Sequence, residues 1–285
     1  MRLTGAQKES YERDGFLCIE TCFSKVEIDI LLSEARRELA VDSQRRIKER
    51  GGAVRSVFAS HLTNGVFRRL SRLSRLVEPA MQFLGSEVYL HQFKINAKVA
   101  LEGDHWEWHQ DFLYWHKEDD MPEPRVLTAA VFLQEVHDYN GPMLVIPGSH
   151  KEGMIDLQAQ TACSGNGNRL HDHEGSASWM PTLTADLKYK INQDVLARLL
   201  SKSHIYASKG SAGLTMFFHG NLFHASANNL SASDRLSIFI SYNSVENKLR
   251  DIENPRPAFI ASRDFTPLIP LPDDALLRME IDDNE

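Results

Sequence analysis

The chain has 285 residues, of which 42% are hydrophobic and 25% charged, and a formal net charge of −7. That supplies ample core for one large domain or two small ones, and without a long Lys/Arg run it excludes an extended nucleic-acid or anionic-membrane footprint. No window approaches eighteen consecutive apolar residues, and "MRLTGAQKESYERDGFL" lacks the apolar heart of a secretory signal, so a cytoplasmic protein with no membrane span is expected. The three cysteines, Cys18, Cys22 and Cys163, are too few and too oddly spaced for a disulfide framework or a zinc site and read as reduced structural thiols.

Residues 4–50 read as largely helical. In "SKVEIDILLSEARRELAVDSQRRIKER", Ile28, Ile30, Leu31, Leu32, Ala35, Leu39 and Ala40 approximate a helical stripe with Ser24 as its N-cap. Residues 66–84 predict another helix, ending near Gly85. From about residue 86 the texture changes. "EVYLHQFKINAKVAL" alternates polar and apolar residues as a strand does. "RVLTAAVFLQEV", "GPMLVIPGSH", "SAGLTMFFHG" and "RLSIFISYNSV" are short β-rich runs bounded by turn residues, which suggests a barrel or sandwich. Residues 151–209 interrupt them. "CSGNGNRLHDHEGSAS" is loop-like, 184–202 is expected to be helical, and 151–185 is the candidate lid. The expected organisation is one domain: a helical layer over about 1–85, a β core over about 86–245 carrying the insertion 151–209, and an extension over 246–285.

The chemistry concentrates in Asp104 to Asp120, "DHWEWHQDFLYWHKEDD", which holds three His and three Trp. Three pairs have metal-ligand spacing: His105 with Glu107, His109 with Asp111, and His116 with Glu118. Residues two apart on a strand share a face, and a third ligand from a distant strand would complete a 2-His-1-carboxylate site for Fe(II). His-x-Asp alone is weak, since a chain with twelve His holds about one by chance. Further on, "SAGLTMFFHGNLFHASANNLSASDRLSIFISYN" offers His219 or His224 as a third ligand. Arg235, eleven residues after His224, opens an apolar strand. A buried Arg calls for an anion, and its planar fork suits a carboxylate.

Three pieces in this order, "WHQD" (108–111), "NGPMLVIPGSHK" (140–151) and "HASANNLSASDR" (224–235), resemble the phytanoyl-CoA dioxygenase family of Fe(II)/2-oxoglutarate oxygenases. Within it the chain is most similar to ectoine hydroxylases, whose signature runs approximately F-x-W-H-S-D-F-E-T-W-H-x-E-D-G-M-P-x-M-R. Here 106–125 reads "WEWHQDFLYWHKEDDMPEPR". "HQFKINAKV" and "ENPRPAFIASRDFTPL" extend the likeness across nearly the whole chain. The resemblance implies a mainly β, double-stranded β-helix (jelly-roll, cupin-like) core with flanking N-terminal helices. It implies Fe(II) on His109, Asp111 and His224. It implies 2-oxoglutarate on Arg235, Ser226 and Lys98, with O2 as oxidant, and a substrate pocket lined by Gln92 and Trp115. It is also consistent with a homodimer. Asp111 argues against halogenation, because halogenating relatives carry a small residue there. Trp106, Trp108, Phe112 and Trp115 are candidates for shielding the reaction.

The departures are Gln110 for Ser, Leu113 and Tyr114 for Glu-Thr, and Asp120 for Gly. Leu113 and Tyr114 are therefore expected to set a substrate preference of this chain's own. The implied activity is hydroxylation of a small polar amino-acid-like metabolite, with release of succinate and CO2. Alternatives are oxidative N-dealkylation of a mycosporine-like amino acid, a non-catalytic metabolite-binding barrel, and a zinc hydrolase using Glu107 or Glu118 as base. The barrel would be expected to lose a ligand or Arg235, and the hydrolase leaves Arg235 without a role.

Overall fold

Helix α1 (Gly5–Asp14) opens on a capping box between Thr4 and Gln7, and closes on Gly15 at φ 82. The computed structural model describes residues 1–49, 51–155, 183, 187–189 and 191–278. Strand β1 (Phe16–Ile19) follows directly. Helix α2 (Lys25–Ala40) opens on Ser24, whose side chain accepts from Glu27 N while Glu27 reaches back, and it buries Ile28, Leu31 and Ala35 on one face.

Two parts of 4–50 are not helical as expected. Phe16–Ile19 is a sheet edge, and the chain leaves α2 through an extended Val41 to form β2 (Arg46–Lys48), which pairs with β3 (Val54–Phe58). Pairing within a large sheet overrides the modest helix propensity of the Arg/Lys/Glu run. The 66–84 helix is likewise two helices, α3 (Gly65–Leu70) and α4 (Ser74–Leu84), the second closing on Gly85 as expected. The break falls at Leu73, which bridges to Leu271 of the C-terminal extension.

Then come β4 (Val88–Lys98), β5 (Trp106–His109), α5 (Asp111–Asp119), β6 (Val126–Phe132) and β7 (Met143–Val145). They are followed by α6 (Gln193–Lys202), β8 (Tyr206–Ser208), β9 (Thr215–His219), β10 (His224–Ser226) and β11 (Arg235–Ser244). Every ladder between these described strands is antiparallel. Among the described residues, seven strands form one sheet in the order β1-β9-β6-β11-β4-β3-β2, and four form the other, β5-β10-β7-β8. The two sheets make the expected jelly roll. Of the insertion, the helix expected over 184–202 starts only at Gln193, and β8 falls inside the expected 151–209 and belongs to the small sheet. Most of the candidate lid, and Cys163, lie outside the described residues. Cys18 and Cys22 are free, and burial pushes both thiols up to about 11. Among the described residues no helix is long and apolar enough to cross a membrane.

Two cores follow from the alternation of the large sheet. On its outer face Phe93, Ile95, Leu127, Val131, Ile238 and Ile240 pack against Leu31, Phe67 and Leu76 of the helical layer. On its inner face Ala130, Phe132, Met216 and Phe218 meet Met143 and Val145 of the small sheet. At the other end the inner face turns polar. Asn96 and Lys98 of β4 are buried, yet they point between the sheets, reversing the apolar-in pattern of an ordinary strand.

Candidate active site

Strand register brings the site together. In the small sheet His224 lies opposite His109, and Ser226 opposite Trp106. In the large sheet Arg235 lies opposite Lys98. Where the sheets face each other, a cavity is walled by Lys94 and Lys98 of β4, Trp106 and His109 of β5, His224 and Ser226 of β10, and Arg235 and Phe239 of β11.

Asp111 does not share a strand with His109, as the spacing alone suggested. His109 ends β5 and Asp111 is the first residue of α5. A strand-to-helix corner carries the pair. The ligand atoms of His109, Asp111 and His224 all lie within 4.8 Å of one another, the only such group of three among the described residues. Asp111 Oδ1 is 3.7 Å from His109 Nε2 and 3.8 Å from His224 Nε2. His109 Nδ1 lies 2.6 Å from the Glu107 carbonyl and His224 Nδ1 3.0 Å from the Leu222 carbonyl. A carbonyl only accepts, so each Nδ1 donates, and each Nε2 is the ring nitrogen that faces Asp111.

Burial alone would raise the Asp111 carboxyl, but His224, Lys94 and His109 outweigh it and hold it well below the usual carboxylate range. Burial, followed by the neighbouring His109, pushes His224 down to about 3. A carboxylate and two imidazoles, with backbone partners fixing both rings, are the donor set that a divalent iron takes.

Next to this centre the cavity is cationic. Arg235 is 3% exposed; it donates to Ser237 Oγ at 2.8 Å and to the Gly141 carbonyl at 2.7 Å, and burial lowers it to about 10. Its Nε and the Ser226 hydroxyl are buried without a partner. Lys98 Nζ donates to the carbonyls of Asp104 and Ala227, and burial holds it well below its ordinary value, followed by the charges of Arg235 and Arg55. Lys94 is lowered by burial in the same way. Among the described residues none of the three cations has an ion-pair partner within hydrogen-bond reach. Three desolvated cations and two orphaned polar atoms fit a small dianion.

The other ligand-spaced pairs serve structure. His105 bonds Asp104 at 2.7 Å, His116 donates to the Met121 carbonyl at 2.8 Å, and Glu118 takes Lys188 at 2.6 Å. Both His116 and Glu118 sit on α5. His219 accepts from Asn221 N at 2.9 Å and stays outside the cluster, so of the two candidates it is His224 that joins.

Gln92 and Trp115 do not line this cavity. Gln92 donates to the Ile260 carbonyl at 2.6 Å, and Trp115 packs with Phe112, Met121 and Val126, edge-on to His91. Trp108 packs on the cluster of Ile146, Val195 and Phe223. Tyr114 stands edge-on to His109 with ring centroids 6.2 Å apart, and its hydroxyl both donates to and accepts from the Tyr189 backbone. Leu113 is buried beside it in sequence on α5. Trp106, one of the expected shielding residues, lines the cavity, and Lys94 is a cavity residue that the sequence reading did not name. The signal for Lys94 was parity, since it lies four residues before Lys98 on β4 and so shares its face.

Two departures find a local explanation. Asp120 sits at φ 55 and caps α5, a conformation that glycine takes without strain, and its carbonyl accepts from Arg250 N. Gln110 gives up N-capping of α5. It donates instead to the Gly153 and Asn221 carbonyls, both at 2.8 Å, and accepts from Ile155 N at 3.1 Å. It thus ties the metal corner to the loop before His224 and to the start of the insertion. Gln110→Ala orphans all three backbone groups and is expected to cost about 2 kcal/mol. Urea denaturation measures it, and an unchanged midpoint would show that these bonds carry nothing net.

The family model described as phytanoyl-CoA dioxygenase matches residues 11–237. The L-proline trans-4-hydroxylase of Streptomyces griseoviridis is 37% identical over 273 residues, which covers 94% of this chain and 96% of that protein. The ectoine dioxygenase of Bordetella bronchiseptica is 37% identical over 270 residues, 92% of this chain and 83% of its own. Among solved structures, EctD from S. alaskensis with 2-oxoglutarate and 5-hydroxyectoine is similar with a TM-score of 0.78 at 30% identity, covering 95% of this chain and 88% of that one.

Proposed function

Because the chain belongs to the phytanoyl-CoA dioxygenase family, we propose that its buried corner and cationic cavity carry out hydroxylation of a small cyclic amino-acid-like metabolite. The protein is an iron(II)- and 2-oxoglutarate-dependent dioxygenase. One observation carries the reading: the His109/Asp111/His224 cluster adjoins a cavity in which Arg235 Nε and Ser226 Oγ are buried and unpaired.

His109, Asp111 and His224 would hold the iron. When bound, the iron couples O2 activation to decarboxylation of 2-oxoglutarate to succinate. The chain's own residues position and exclude. Arg235 and Ser226 take the far carboxylate of 2-oxoglutarate, and Lys98 adds charge beside them. Lys94, facing Asp111, stands on the side of the metal. The Nδ1 bonds of His109 and His224 keep both rings in the tautomer and orientation that ligation needs. Phe239, Trp106 and Phe218 keep water from the surroundings.

Tyr114, which stands edge-on to His109, and its neighbour Leu113, which replace the Glu-Thr of ectoine hydroxylases, are proposed to shape the substrate side. Loss of that polar pair favours a less polar ring than ectoine. The related proline hydroxylase supports an imino-acid scaffold. Oxidative N-dealkylation of a mycosporine-like amino acid is the lesser reading, because a relative of similar identity is named for a hydroxylation. A screen of L-proline, related cyclic amino acids, ectoine and mycosporines for stimulated succinate release is the test. Product mass is expected to show gain of one oxygen. Loss of a methyl group would support dealkylation, and succinate release that no small zwitterion stimulates would remove this substrate class.

A further inference from the structure

Trp106 opens β5 and lines the cavity. The Arg55 guanidinium from β3 stacks on its ring, with Cζ 3.6 Å from the centroid. Arg55 does not itself reach the cavity, yet it is 1% exposed. Its NH1 holds both Glu49 carboxylate oxygens, at 2.8 and 3.0 Å, and its NH2 donates to the His105 carbonyl at 2.8 Å. Glu49 Oε1 also accepts from Asp104 N at 3.4 Å. From the cavity side, Lys98 Nζ donates to the Asp104 carbonyl. Residues 104–106 are therefore gripped from behind by Glu49 and Arg55 and from within by Lys98.

A buried ion pair is a poor device for stability alone, since apolar side chains of similar size serve as well. What a planar guanidinium adds is orientation: it fixes the plane of the ring it covers. Three successive residues tied to one Glu-Arg pair leave the indole little freedom to tilt. We infer that Arg55 is a positioning residue for the co-substrate site, acting through Trp106 to hold the wall against which 2-oxoglutarate lies. The inference rests on the reading of the cavity as the 2-oxoglutarate site.

The experiment is an anaerobic titration of the Fe(II)-loaded full chain with 2-oxoglutarate, followed by the visible charge-transfer band. Wild type is compared with Arg55→Lys, which keeps the ion pair but loses the planar stack. It is also compared with Arg55→Met/Glu49→Gln, which removes both charges so that neither is left buried alone. The 2-oxoglutarate dissociation constant is expected to rise about tenfold in the double variant and about threefold in Arg55→Lys. Band intensity at saturation should stay at the wild-type level, because the iron ligands are untouched. An unchanged dissociation constant in a folded double variant overturns the assignment, and so does a band that is weakened at saturation with no change in affinity. If circular dichroism shows the double variant unfolded, Arg55→Lys decides, and unchanged affinity there overturns it. If wild type itself gives no band with Fe(II) and 2-oxoglutarate, the cavity reading fails and the assignment falls with it.

Discussion

Asp111→Ala is expected to lower 2-oxoglutarate-dependent succinate formation at least about a hundredfold and to remove the visible Fe(II)·2-oxoglutarate band. Asp111 is the one carboxylate in the cluster, with both imidazole Nε2 atoms less than 4 Å away, at 3.7 and 3.8 Å. Alanine leaves two neutral nitrogens and no charge to balance the metal. It also strips Lys94 of the anion that partly offsets its burial. Asp111→Glu keeps the charge, but its extra methylene must fit at the first position of α5, where the backbone is held by Phe112 N on the Gly220 carbonyl at 2.9 Å. Partial activity is expected there. If Asp111→Ala retains both the band and succinate formation, the iron assignment is wrong.

Arg235→Met is expected to raise the 2-oxoglutarate concentration needed for half-saturation about a hundredfold, and Arg235→Lys about tenfold. Methionine removes the charge and the fork, whereas lysine keeps a point charge that cannot match a carboxylate at two atoms. Stability should move the other way. Without an anion, Arg235 is a buried cation with its Nε unpaired, and relief of that burial offsets the lost bonds to Ser237 Oγ and the Gly141 carbonyl, so Arg235→Met without 2-oxoglutarate should unfold no earlier than wild type. Added 2-oxoglutarate should raise the wild-type midpoint and leave that of Arg235→Met nearly unmoved. Thermal unfolding with and without 2-oxoglutarate checks both halves. Equal saturation behaviour in wild type and Arg235→Met would place the co-substrate elsewhere.

How much of this was legible in the chain differs by element. Helix α2 was readable because its signals are local: Ser24 and Glu27 cap each other across three residues, and the apolar stripe follows at once. The strand 46–48 was not, because "RRIK" becomes a strand only when Val54–Phe58 is available to pair with it. The corner 109–111 was half legible. The residue types were right, but adjacent ligands on one strand and ligands across a strand-helix junction give the same spacing.

By itself the sequence determined the residue types, their order and the β texture that supports a jelly roll. Spacing alone could not choose among His105/Glu107, His109/Asp111 and His116/Glu118, nor between His219 and His224, and only the family resemblance of the surrounding motifs pointed to His109, Asp111 and His224. The tertiary structure decided these through register. Pairing His224 with His109, and Arg235 with Lys98, is a long-range outcome that no local pattern encodes, since strands far apart in sequence meet only when both sheets close over a shared core. The same closure turned the polar face of β4 inward and set Arg55 of β3 against Trp106. The chain carried the parts of an oxygenase site in plain view, and the facing of two sheets selected which parts meet.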